Sequence, residues 1–89
     1  MSEKKSLPHE KFCHLFEHEG RQILIAKDTD DEGNPSAQIR TTTDSGHFIA
    51  LNFGFGEDDW EKRDKAFNDL VADEANAAEM ILNAPGVKL

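Results

Sequence analysis

Between residues 11 and 55 apolar and polar side chains alternate, in runs separated by turn-forming clusters. In RQILIAKD, Ile23 and Ile25 share one parity, Leu24 and Ala26 the other. In SAQIRTTT, Ala37, Ile39 and Thr41 alternate with Gln38, Arg40 and Thr42, and HFIALNFGF places Ile49, Leu51, Phe53 and Phe55 on a common side. A period of two marks a strand whose faces meet different surroundings. The β-branched and aromatic content of these runs agrees with it. TDDEGNP and the DSG of Asp44–Gly46 lie between the runs and supply residues that tight turns need.

The segment KFCHLFEH fits two patterns. As a strand it joins RQILIAKD through a tight Glu19-Gly20 hairpin; as a helix it is capped by Ser6, stopped by Gly20, and carries Phe12, Leu15 and Phe16 on one face. The strand is preferred, because the segment is short and its turn leads directly into another strand.

After Gly56 the period lengthens. Trp60, Phe67, Leu70, Val71, Ala78, Ile81 and Leu82 recur at spacings of three, four and seven, the stripe of one amphipathic helix. Glu57, Asp58, Asp59 and Glu61 are expected in its first turn, where the helix dipole favours negative charge, and Pro85-Gly86 ends it. The stripe weakens at Asp73-Glu74, beside the poor helix former Asn76, which marks a place for a kink. The expected order is ββββα, an antiparallel four-stranded meander with one long C-terminal helix packed on one face. Residues 1–9 read as a polar, frayed tail and residues 10–89 as a single small α+β domain. The alternative order, αβββα, is that of double-stranded-RNA-binding domains. Those domains need basic residues at the start of the last helix, where this chain has EDDWE, so the resemblance ends at element order.

Charge narrows the partners. With 18 acidic and 10 basic residues among 89, the net charge is -8, which opposes direct binding to a phosphate backbone. Lys4, Lys5, Lys62, Arg63 and Lys65 are scattered among acids and form no basic patch. One cysteine, Cys13, excludes an internal disulfide framework and fits a reducing compartment. The opening MSEKKSLPHE lacks the apolar run of a secretory signal, and no segment approaches membrane-spanning length, so a cytoplasmic protein without membrane contact is expected.

Several stretches approach a site motif and fall short. In KDTDDEGNPS, Asp28, Asp30, Glu32 and Gly33 match the opening of a calcium loop, but the twelfth position, which needs a bidentate acid, is Ile39. A hairpin turn is expected instead. HEKFCH resembles the zinc motif HExxH, yet the fourth residue after His9 is Cys13, and His14 falls one position late. His9, Cys13, His18 and His47 would have to converge from separate elements for a small zinc-binding protein, against a plain reading of Cys13 as a buried thiol among surface histidines. Gly54 and Gly56 open a strand-to-helix corner, but Glu57 and Asp58 occupy the place of a phosphate. Ser45 lies near His47 without a third orienting group in the sequence. No catalytic residue, metal or cofactor is expected.

Two surfaces remain. Glu57, Asp58, Asp59, Glu61, Asp64 and Asp69 form an expected acidic helix face, a docking face for a basic partner protein or only a solvated surface. Read further, such carboxylates imitate DNA phosphates, the alternative being an acidic inhibitor or DNA-mimic protein of the phage or mobile-element type, an analogy only. The second surface follows from counting faces. One helix covers one side of a sheet, so Leu24 and Phe48, on the other side, with Phe12 or Phe16 as further candidates, are expected in a homodimer interface. A non-catalytic, self-associating protein-interaction module is the leading expectation.

Overall fold

The computed structural model describes residues 12–84. The tail expected over residues 1–9, and Pro85-Gly86, lie outside the described residues. Strands β1 (Cys13–His18), β2 (Arg21–Thr29), β3 (Pro35–Thr42) and β4 (Phe48–Gly54) precede helices α1 (Trp60–Ala72) and α2 (Glu74–Leu82). The strands pair antiparallel in chain order, with Leu15 opposite Leu24, Ile25 opposite Ile39 and Ile39 opposite Leu51. This is the expected meander, and KFCHLFEH contributes a strand to it, not a helix.

Each turn has a local cause. Glu19 and Gly20 both take positive φ, 53° and 83°, as a two-residue hairpin between right-twisted strands requires. In the next loop the Asp30 carboxylate accepts the backbone N–H groups of Glu32 and Asn34, both at 2.9 Å. Between β3 and β4, the Thr43 hydroxyl accepts the His47 N–H at 3.1 Å, and Arg21 ties the turn to β2 through Asp44.

The helices lie on one side of the sheet. Ile23, Ile25 and Ile39, fully buried, meet Phe67, Ala77, Ala78 and Ile81, with Phe16, Leu70, Val71 and Leu82 packed around them. At roughly 1.5–3 kcal/mol for each large apolar side chain buried, this cluster is the main stabilising element of the domain.

The helical region departs from expectation in three ways. The single long helix is two helices. Asp73 leaves helical geometry (φ -129°, ψ 74°), yet its N–H still donates to the Asp69 and Leu70 carbonyls. Its carboxylate then accepts the Asn76 N–H at 3.2 Å and starts α2. The break lets α1 lie over β2 and β3 while α2 turns back over β1 and β3. Secondly, α1 begins at Trp60, so Glu57 and Asp58 precede the helix and only Glu61 lies in its first turn. Finally, Trp60 is not a core residue: it is 41% exposed, and the Arg63 guanidinium lies 5.2 Å from its ring.

Polar groups join the two layers at one end. Arg63 is buried against the sheet, where it donates to the Asp28 carbonyl at 2.7 Å and to the Asp64 carboxylate at 2.9 Å. Lys27 points from β2 toward the helices, its ammonium 5.2 Å from the Phe67 ring and 3.3 Å from Asp64. Burial pushes the Asp64 carboxyl upward, but the hydrogen bond from Arg63 and the charge of Lys27 outweigh it and hold the pKa below the ordinary aspartate value.

Candidate interaction surface

Opposite the helices, no element among the described residues covers the sheet. Register alone brings Leu15, Leu24, Arg40 and Ala50 into one row across the strands, and sets Thr42 beside Phe48. Phe48 is 85% exposed and Leu15 is 60% exposed, while Leu24 is half-buried between them. A hollow of about 610 Å³ on this face is lined by Leu15, Leu24, Phe48 and Ala50. Gln22, Gln38 and Arg40 supply its polar contacts. Leu24 and Phe48 thus share one face. Phe16 does not join them: it packs on the core, and Leu15 takes the outward position.

The acidic residues do not form a single row. Asp64 is turned toward Arg63 and Lys27. Asp69 pairs with Lys65 at 2.9 Å, and Asp59 accepts the Gly56 N–H at 3.1 Å with Lys62 at 3.8 Å. Glu57, Asp58 and Glu61 are exposed at the N-terminal end of α1. The outward side of α1 therefore presents Glu61, Lys62, Lys65 and Asp69 together, both signs interspersed. Helical spacing separates acids that the linear sequence places close.

The motif-like stretches resolve into structure. KDTDDEGNPS is a strand end and a hairpin loop: Asp28 lies on the open face, where it accepts the Thr29 N–H at 2.8 Å, and Asp30 is turned into the loop backbone. Cys13 is exposed, contrary to its reading as a buried thiol, because it occupies the outward parity at the start of β1. His14 has the opposite parity, with its Nε2 2.5 Å from the Glu74 carboxylate of α2. His18 lies near Glu19, His47 sits in the β3–β4 turn, and His9 lies outside the described residues. Among the described residues, no three His, Cys, Asp or Glu side chains converge as metal ligands would. Ser45 Oγ lies 3.1 Å from His47 Nδ1 and 3.0 Å from the Thr43 hydroxyl, an exposed chain of contacts that closes a turn.

Comparisons of the chain with protein-family models, curated proteins and solved structures give no match. No helix among the described residues is long and apolar enough to cross a membrane.

Two features escaped the sequence reading. Arg63 and Lys27 look like surface charges by type, and only their positions on the buried stripes of α1 and β2 signal otherwise. The row Ile49, Leu51, Phe53 on β4 has core parity but is only half-buried, since the helices lie over β1, β2 and β3 and leave β4 at the margin.

Proposed function

We propose that this chain is a small acidic, non-catalytic interaction module, which self-associates and binds another protein through the open side of its sheet. The observation that supports this most directly is Phe48, an aromatic side chain 85% exposed on the same uncovered face as Leu15 and Leu24. Large apolar side chains exposed together on one face are costly to leave in water and ordinarily mark an interface. Self-association covers Phe48, and the partner protein covers Leu24. The exposed acids Glu57, Asp58 and Glu61 act at longer range, favouring a partner with a basic surface and raising its association rate. Gln22, Gln38 and Arg40 give the hollow the polar contacts that fix orientation.

Sedimentation equilibrium at micromolar concentration tests the self-association. The wild-type protein should be dimeric and Phe48→Asp displaced toward monomer, with Glu61→Ala as a control that leaves assembly intact. A folded wild-type protein that stays monomeric would refute this part of the reading.

A further inference from the structure

At one margin of the sheet, β4 has no neighbouring strand among the described residues beyond β3. Its backbone pairing follows from two hydrogen bonds that bracket it: Thr43 N–H donates to the His47 carbonyl, and Phe55 N–H to the Pro35 carbonyl. Antiparallel pairs exchange hydrogen bonds at every second residue. Ile49, Leu51 and Phe53 therefore spend their backbone groups on β3, while Phe48, Ala50, Asn52 and Gly54 direct theirs away from the sheet. An exposed strand edge of this kind is ordinarily blunted by charge or proline. At the other margin of the sheet among the described residues, β1 carries Glu17 between His14 and His18, but FIALNFG has neither device. On the helix side of this edge, a groove of about 300 Å³ runs between Phe53, Phe55, Leu70 and Met80.

We propose that a second copy of this chain pairs antiparallel along the open edge of β4, joining two four-stranded sheets into one. The inference rests on the self-association reading and gives it a geometry. The outward backbone groups permit a centred two-fold register in which Ala50 faces Asn52 of the second copy and Phe48 faces its Gly54. Leu51 then faces its own copy, and Ile49 faces Phe53, on the half-buried apolar side. Phe48 gains a cover from the strand opposite, where Gly54 leaves room for the ring. Charge does not bar a copy here. Two chains of net charge -8 repel over most of their surface, and β4 is an uncharged approach. The antiparallel register also brings the His47 end of each strand toward the Glu57–Asp58 end of the other. Leu24, two strands from the junction, remains uncovered and falls to the partner protein.

Disulfide trapping and sedimentation together test this pairing. In a Cys13→Ser background, Ala50→Cys and Asn52→Cys proteins are mixed under mild oxidation. The mixed 50–52 disulfide should dominate over 50–50 and 52–52 products, because only facing residues have Cα separations a disulfide spans. Ala50→Pro removes an outward N–H without touching β3, and should raise the dimer dissociation constant on the order of tenfold or more. Leu24→Asp should leave the dimer intact. A wild-type monomer would overturn both this geometry and the self-association on which it rests. A wild-type dimer that resists Ala50→Pro, shows no 50–52 preference and is lost on Leu24→Asp would overturn the edge pairing alone, with face-to-face stacking in its place.

Discussion

The two faces of this sheet are built from the same alternation and end in opposite conditions. On the helix side, Ile23, Ile25 and Ile39 are fully excluded from water, and the charges that enter, Arg63 and Lys27, are met by a carbonyl, a carboxylate and aromatic rings. On the open side, Leu15 and Phe48 stand among Gln22, Gln38 and Arg40 in contact with solvent. Apolar parity is thus not the same as core. A strand face becomes core only where a second layer lies on it, and here that layer ends before β4. The lesson for function is that the unfinished regions, the open face and the β4 margin, carry the candidate interfaces, while the finished one carries stability.

The largest test of that division is at its centre. Ile39→Ala, in the fully buried cluster, should cost about 2–5 kcal/mol of unfolding free energy in urea denaturation, from lost transfer energy plus the cavity. A cost under one kcal/mol would show that the helix layer is not fixed on the sheet.

Arg63→Ala comes next, because it removes the group that holds α1 to the strand ends. Hydrogen bonds from a charged donor contribute roughly 1.5–3 kcal/mol, and the same measurement should show a loss of that order. Arg63→Lys should restore only part, since an ammonium cannot reach a carbonyl and a carboxylate with the same fork.

Asp73→Ala probes the break between the helices. Loss of an N-cap costs about 1 kcal/mol, and amide exchange should increase first over α2, leaving β1–β4 protected. Uniform loosening of the whole chain would mean that α2 does not move as a separate unit.

A smaller effect is expected in acid. The folded-state pKa of Asp64 lies below its unfolded value, so the unfolded chain binds the proton more readily. The stabilisation it contributes is fully present above the ordinary aspartate range, and is lost as pH falls through the folded value. Asp64→Asn should flatten that part of the stability profile and leave neutral pH otherwise similar in slope.

The smallest effect is the most informative for the comparison. Phe48→Asp, at an 85% exposed position, should change monomer stability by less than about 0.5 kcal/mol, measured at a concentration where the chain is monomeric. A large loss there would place Phe48 in the fold and remove it from the interface.

Much of this architecture was legible in the residues themselves. The alternation in β2, β3 and β4 determined which side chains share a face, since strand geometry leaves no freedom once the period is set. Glu19-Gly20 and the Asp30 loop were readable as turns because their backbone demands are local. That Leu24 shares a side with Ala26, and Phe48 with Ala50, was legible for the same reason; the strand pairing puts both rows on one face. What tertiary structure alone decided depends on distance between elements. The exposure of Cys13 and Trp60, the burial of Arg63, the partial burial of Lys27, and the partial cover of Ile49, Leu51 and Phe53 all follow from where the helices lie. Placement also separated the acids of α1: Asp64 pairs with two cations, one of them from a strand far away in sequence. Parity and period are properties of one segment and can be read from it. Burial and pairing arise between segments, and only packing in three dimensions determines them.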